Sequence, residues 1–278
     1  MAITELQIER FRCLDSVALE LSTEENLIIG PNASGKTSLL EAVYFLGHGR
    51  SFRGTPSRKL IQDGMDEFLV IAKLSQPDGR IGIQATRSAV TVKIDGTRAH
   101  TRSSLAARLP VQVIEPGIHK LIEEGPAQRR RYLDWGVFHV EQEFYSTWRR
   151  YRKSLDQRNA LLKTNAAAAV ASSWEETLIA AGDSVQKQRL RYLKKLAPYL
   201  EEAGNALFGA PLECRFHRGW PDDQTLAETM MANRQRDQQQ AYTHAGPHRA
   251  DIRIRLNQKI ARARVSRGQQ KLLASGLV

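Results

Sequence analysis

The octapeptide Gly30-Pro31-Asn32-Ala33-Ser34-Gly35-Lys36-Thr37 constrains this chain more than any other stretch. A glycine, four residues and then Gly-Lys-Thr is the P-loop spacing. Glycine lets the backbone curl until successive N–H groups face one anion. A helix beginning near Lys36 adds its positive end to the same point. The candidate nucleotide-binding residues are therefore Gly30, Pro31, Asn32, Ala33, Ser34, Gly35, Lys36, Thr37 and Ser38. Lys36 would reach the β- and γ-phosphates, and the Thr37 hydroxyl would be the protein ligand of Mg²⁺. The flanks fit the strand, loop, helix order. Asn26-Leu27-Ile28-Ile29 predicts a buried strand feeding the loop, and Ser38 to Leu46 predicts a helix that Gly47 ends. The expected ligand is a nucleoside triphosphate with Mg²⁺.

Around this motif the pattern alternates in the β manner. Residues 3–8, Val17 to Leu19, Phe68 to Leu74, Ile81 to Thr86, Val90 to Ile94 and Val111 to Ile114 predict strands, with turns at Pro77-Asp78-Gly79, Asp95-Gly96 and Pro116-Gly117. The result is an antiparallel meander rather than a simple βαβ rhythm. From Pro126 to Tyr199 strand signals vanish. Phe144, Trp148, Tyr151, Leu155 and Leu162 form one helical stripe, and Trp174, Leu178, Ala181, Val185, Tyr192 and Leu196 form another. Ser172-Ser173-Trp174-Glu175-Glu176 offers a capping box for the second helix. Two long helices packed antiparallel, an arm of coiled-coil character, are expected, with the stripe aromatics as core. Arg234 to Gln240 predicts a further helix, and strand signals return at Asp251 to Leu256. The arm at 126–243 thus reads as an insertion between 1–125 and 244–278.

Charge bears on the partner. Lys and Arg number 41 against 30 Asp and Glu, a net charge of +11, with a pI near 9.9. That balance favours a polyanion, nucleic acid before membrane. Arg50, Arg53 and Arg58 follow the P-loop helix and either touch phosphate or DNA or form a solvated surface. Arg149, Arg150, Arg152 and Lys153 on the first arm helix are candidates for DNA phosphates or an ordinary charged face, as are Lys187, Arg189, Arg191, Lys194 and Lys195 on the second. No base-reading pattern stands out, so binding is expected to be sequence-independent and steeply salt-dependent. Cys13 and Cys214 are too few for a disulfide framework or a zinc site. With no signal peptide and no membrane-spanning run, a cytoplasmic protein without membrane attachment is expected.

A second motif, Ser266-Arg267-Gly268-Gln269-Gln270-Lys271, precedes the apolar Leu272-Leu273. It resembles the signature of ABC-type ATPases, which closes over the γ-phosphate held by the P-loop of another subunit. Ser266, Arg267, Gly268 and Gln269 would act in trans. The resemblance sharpens at Gly30 to Arg53, at Gly125-Pro126-Ala127-Gln128-Arg129-Arg130-Arg131-Tyr132-Leu133-Asp134, and at Thr243-His244-Ala245-Gly246-Pro247-His248-Arg249-Ala250-Asp251. Together these segments resemble the RecF family of bacterial recombination and repair ATPases from end to end of the chain.

The resemblance implies an α/β fold: an ABC/SMC-like P-loop NTPase head with a mixed β-sheet and an inserted helical second lobe. It implies ATP and Mg²⁺ as cofactors, an ATP-dependent homodimer, and weak DNA-dependent hydrolysis. It also implies binding to single-stranded, double-stranded and gapped DNA, and action with RecO and RecR in loading RecA during repair, replication-fork maintenance and the SOS response. His244 and His248 are four apart, but Gly246-Pro247 between them argues against a helical metal pair.

One departure stands out. The Walker B strand ending in Asp-Glu, expected after the signature helix, does not follow before Val278. Val111 to Glu115 resembles it only faintly and lies elsewhere. The chain is expected to be cut short at its C-terminus, with unpaired sheet edges prone to association, and to bind ATP without hydrolysing it, having no catalytic residue of its own. Gln62, Gln112 and Gln128 all remain open as the γ-phosphate sensor. The alternative function is a P-loop ATP-binding module of another class, a transporter-type ATPase or a kinase, without a DNA role.

Overall fold

The computed structural model describes residues 1–99, 101–164, 168–261 and 266–278, with side chains at 168–173 outside the description. Two compact units result, Met1–Val113 and Ile114–Val278.

The first unit is built on strands β1 (Ile3–Phe11), β2 (Leu14–Glu20), β3 (Glu67–Ser75), β4 (Asp78–Thr86), β5 (Val90–Ile94) and β6 (Thr97–Ala99), with helices α1 (Lys36–His48) and α2 (Arg102–Arg108). The sheet order is β2-β1-β3-β4-β5-β6, and every ladder is antiparallel. Strict alternation in β3 and β4 turns Phe68, Val70, Ala72, Leu74, Ile81, Ile83 and Ala85 to one face. In β1, Leu6 and Ile8 are buried, and a left-handed Arg10 (φ 54°) resets the pleat so that Phe11 also turns inward. Onto this face α1 lays Ala42, Phe45 and Leu46. Phe11, Phe45 and Phe68 meet edge to face, with ring centroids 4.9 Å apart for Phe11–Phe68 and 5.4 Å for Phe45–Phe68. Asp95 (φ 50°) and Gly96 (φ 81°) make the primed turn that joins β5 to β6.

Three sequence expectations fail here. Residues 26–29 are not a strand, and Leu27 and Ile29 are 84% and 82% exposed. An apolar run becomes a strand only where a neighbouring ladder offers hydrogen bonds, and among the described residues none does. With it goes any parallel pairing in this sheet. Residues 111–114 are likewise unpaired, with Ile114 exposed. Finally, α1 continues through Gly47 and ends at Gly49, whose φ of 60° is the left-handed cap. Gly47 has a packing role instead: a Cβ there would lie 2.7 Å from the Leu109 carbonyl oxygen.

The second unit contains helices α3 (Lys120–Glu123), α4 (Pro126–Val140), α5 (Phe144–Thr164), α6 (Ala168–Phe208), α7 (Leu226–Ala232), α8 (Arg234–Gln240) and α9 (Arg267–Gly276), and strands β7 (Leu212–His217), β8 (Asp251–Leu256) and β9 (Lys259–Ile260). α5 and α6 run antiparallel, since Arg158 meets Glu175 while Tyr151 lies against Gly182. Both predicted stripes face inward, with Phe144, Tyr151, Leu155, Leu178, Ala181 and Val185 in one core. The helix expected to start at the 172–176 capping box begins earlier, at Ala168, and the box serines lie outside the described side chains. β8 forms where its signal predicts and pairs with β7, a strand the sequence reading left out, within this same unit. No helix among the described residues is long and apolar enough to cross a membrane.

Candidate functional site

The P-loop is a bend poised on the start of α1. Gly35 adopts φ 90°, and a side chain there would meet Leu14 Cδ2 at 2.7 Å. Only glycine takes both the left-handed backbone and the close approach. Ala33 is also left-handed, at φ 65°. At Gly30 a Cβ would lie 2.9 Å from Ser34 Oγ, a contact that rotation of the exposed Ser34 side chain relieves. No side chain caps α1, and its first turn holds no acidic residue. The first N–H groups of a helix have no intrahelical acceptor, so they remain directed at the loop's mouth beside a positive dipole end. Lys36 Nζ donates to the carbonyls of Gly30 (2.7 Å) and Pro31 (2.6 Å), which bridges the two sides of the loop. Pro31, Asn32, Ala33, Ser34 and Thr37 are exposed, while Ser38 is buried with its hydroxyl 3.4 Å from Cys13 Sγ.

Beneath the loop lies a feature the sequence did not disclose. Glu41 is fully buried within the apolar stripe of α1. Arg12 grips it with both arms, Nε to Oε2 at 2.5 Å and Nη2 to Oε1 at 2.9 Å, and the Ser51 hydroxyl donates to the same carboxylate. Arg12 also donates to Thr55 Oγ1 at 3.0 Å, and Ser51 Oγ accepts from the Arg53 amide at 3.0 Å. The loop carrying Arg50 and Arg53 is therefore tied to the middle of the P-loop helix. A carboxylate on a helix's buried face was the available signal, because such a charge demands a partner.

In the second unit, the other motif is the N-terminus of α9. Ser266 is its N-cap and Gln269 closes a reciprocal capping box: Ser266 N donates to Gln269 Oε1 at 2.9 Å, and Gln269 N to Ser266 Oγ at 3.3 Å. Ser266, Arg267, Gly268 and Gln269 thus form the cap and first turn of α9, and all four are exposed. The other end of α9 is held by Tyr132, whose hydroxyl donates to the Leu277 carbonyl.

The cations proposed for DNA divide into groups. Arg50 and Arg53 lie exposed in the first unit, Arg53 over the Phe52 ring at 5.9 Å. On α5, Arg149 sits 5.7 Å from the centroid of Tyr145 and Arg152 5.8 Å from that of Trp148, and Lys153 shares their face by its i+4 spacing. Arg150 lies apart, in a groove with Glu143, Thr147 and Glu176. On α6, Arg189 is no surface cation: it is buried, clamped on Asp134 at 2.8 and 2.9 Å and donating to the Pro247 carbonyl.

The segment Thr243 to Asp251 now acquires a physical role. His248 hydrogen-bonds Tyr151 Oη through Nδ1 and the Thr243 carbonyl through Nε2, at 2.5 and 2.9 Å. Burial lowers its pKa to about 4, so it is neutral at physiological pH. Arg129 holds both Asp251 oxygens at 2.8 and 3.0 Å. Buried Arg158 donates to Asp237 Oδ2 and Thr243 Oγ1, and His244 Nδ1 meets Asp237 Oδ1 at 2.7 Å. These contacts pin the 243–251 loop to α4, α5, α6 and α8.

An α/β chain with these two units has the fold of the SMC-like head ATPases. The Smc head domain of Pyrococcus furiosus superposes with a TM-score of 0.56 at 16% identity, over 99% of this chain and 77% of that one, a likeness of fold alone. The sequence profile described as RecF/RecN/SMC N terminal domain matches residues 2–278. This chain belongs to that family, within its RecF members. The DNA replication and repair protein RecF of Hydrogenovibrio crunogenus is 39% identical over 282 residues, covering 99% of this chain and 78% of the relative. That of a Marinomonas species is 39% identical over 283 residues, covering 100% and 77%. The recombination mediator protein RecF solved with ATP, of the RecFOR pathway, matches with a TM-score of 0.88 at 26% identity, over 99% of this chain and 79% of that one.

Proposed function

We propose that this protein is an ATP-dependent DNA-binding protein of recombinational repair and replication-fork maintenance. ATP with Mg²⁺ binds at Gly30 to Ser38, with Lys36 released from its loop carbonyls to the β- and γ-phosphates and Thr37 on the metal. Ser266 to Gln269 of a second copy closes over the γ-phosphate, so the nucleotide holds a homodimer together. Arg50, Arg53, Arg149, Arg150, Arg152 and Lys153 contact the phosphates of single-stranded, double-stranded or gapped DNA. In the cytoplasm the dimer works with RecO and RecR to help load RecA at gaps, in the SOS response. The observation that carries this reading is the uncapped start of α1 behind a left-handed Gly35, in a chain matched over 99% of its length to a RecF solved with ATP.

The test is sedimentation with and without ATP-Mg²⁺, in the presence of gapped DNA. ATP is expected to promote both self-association and DNA affinity. Lys36→Ala should weaken ATP binding roughly ten- to a hundredfold, the worth of about 1.5–3 kcal/mol for hydrogen bonds to a charged group, and remove both responses. Self-association and DNA affinity that ignore ATP would overturn the mechanism.

A further inference from the structure

The β7–β8 ribbon carries its apolar side chains on one face only. Cys214, Phe216, Ile252 and Ile254 pack into the cores of the second unit. The other face presents three cross-strand pairs: Glu213 opposite Arg255, Arg215 opposite Arg253, and His217 opposite Asp251. Like charges placed directly opposite one another destabilise a ladder. Arg215 and Arg253 are both exposed, and neither has a carboxylate or hydrogen-bond partner among the described residues. The neighbouring acids offset them only in part. Arg129 occupies both oxygens of Asp251, which leaves Glu213, while Arg255 turns to the Gln258 carbonyl. His217 registers the resulting field: burial, then Arg253 and Arg215, hold its imidazole pKa below the ordinary value.

We propose that this face, led by Arg215 and Arg253, is a contact site for the phosphodiester backbone of nucleic acid. The inference rests on the reading that the protein binds DNA, and adds a site on a different element from the arm and the P-loop unit. The shape favours a backbone over a polypeptide. Peptide recognition uses an open strand edge or side-chain pockets, whereas the like charges here stand on the face of the ribbon and not along its edge. Two guanidinium forks suit phosphate oxygens. A contact made to phosphates positions DNA without selecting sequence.

The experiment measures DNA affinity of the full chain across a salt series, for duplex and single strand. In Arg215→Ala/Arg253→Ala, the slope of log affinity against log salt should fall by about 1.8 for duplex and about 1.4 for single strand, the loss of two phosphate contacts. The thermal midpoint should hold or rise, because the repulsive pair is gone. Arg215→Lys/Arg253→Lys should restore most of the slope. An unchanged slope in the alanine variant, with the wild type binding DNA, overturns this site alone. A wild type that does not bind DNA overturns the functional reading and this site with it. An unchanged slope accompanied by lost retention on poly-glutamate would assign the face to an acidic polypeptide and overturn the nucleic-acid assignment.

Discussion

Arg158→Met isolates the worth of the buried polar cluster that joins α5, α6 and α8 to the 243–251 loop. The Arg158 side chain is 1% exposed, as is that of its partner Asp237. Its Nη1 donates to Asp237 at 2.8 Å and to Thr243 Oγ1 at 2.7 Å, and its Nε to Glu175 at 3.2 Å. Methionine retains much of the apolar stem but leaves the Asp237 carboxylate buried with only His244 beside it. Removing one member of a buried pair costs about 3–5 kcal/mol. With a urea dependence of about 2 kcal/mol per M for a unit of this size, the midpoint should fall by roughly 2 M. The assay is tryptophan fluorescence, because Trp135, Trp148, Trp174 and Trp220 all lie in the second unit and report its unfolding separately. Arg158→Met combined with Asp237→Asn should cost no more than the larger single change, since both remove the same interaction. Arg191→Ala, which breaks a surface pair with Glu141, should barely move the midpoint. If Arg158→Met behaved like Arg191→Ala, or if the two buried changes simply added, the claim that this cluster holds the 243–251 loop would be refuted.

Other perturbations address the sites directly. Gly35→Ala forces a side chain into φ 90° against Leu14; the left-handed cost alone is about 1–2 kcal/mol, so ATP affinity measured by calorimetry should drop roughly tenfold, and an unchanged affinity would contradict this loop conformation. Ser266→Ala removes the α9 cap, worth about 1 kcal/mol of helix stability, and should abolish ATP-driven dimerisation in sedimentation while leaving ATP binding by dilute protomers intact; equal loss of both would place Ser266 outside the trans role. His248 titrates at about 4 when folded, below the ordinary value near 6.5 of an unfolded histidine. Its contribution is therefore present above about pH 6.5 and lost as pH falls toward 4, about 2 kcal/mol between pH 7 and pH 5. Urea midpoints of wild type and His248→Gln should converge in acid, and parallel curves would exclude this histidine as the acid-sensitive group.

Local chemistry reached the sequence surface; long-range pairing did not. The P-loop turn, the start of α1, the alternation of β3 and β4 and the stripes of α5 and α6 are each decided by neighbours within a few residues, through glycine's backbone freedom and helical or strand periodicity. The capping box of Ser266 and Gln269 is equally local, although from sequence these residues read as a signature motif and not as a cap. What lay beyond that reach needed partners distant in the chain. Leu27, Ile28 and Ile29 have the composition of a strand but no ladder among the described residues, so they stay irregular. β7 and β8 pair across 33 intervening residues that give no periodic hint of one another. Glu41 falls on the apolar face of its helix, and only the fold brings Arg12 and Ser51 to it. The sequence alone assigns His248 no role, and the fold gives it one by engaging both its nitrogens with Tyr151 and the Thr243 carbonyl. The sequence by itself determined where a glycine-dependent P-loop turn and an amphipathic arm would form, because those depend on local backbone geometry. Only the tertiary structure decided which buried charges are neutralised and which exposed ones are left unpaired, because desolvation and Coulomb attraction act between groups that the chain separates by tens of residues.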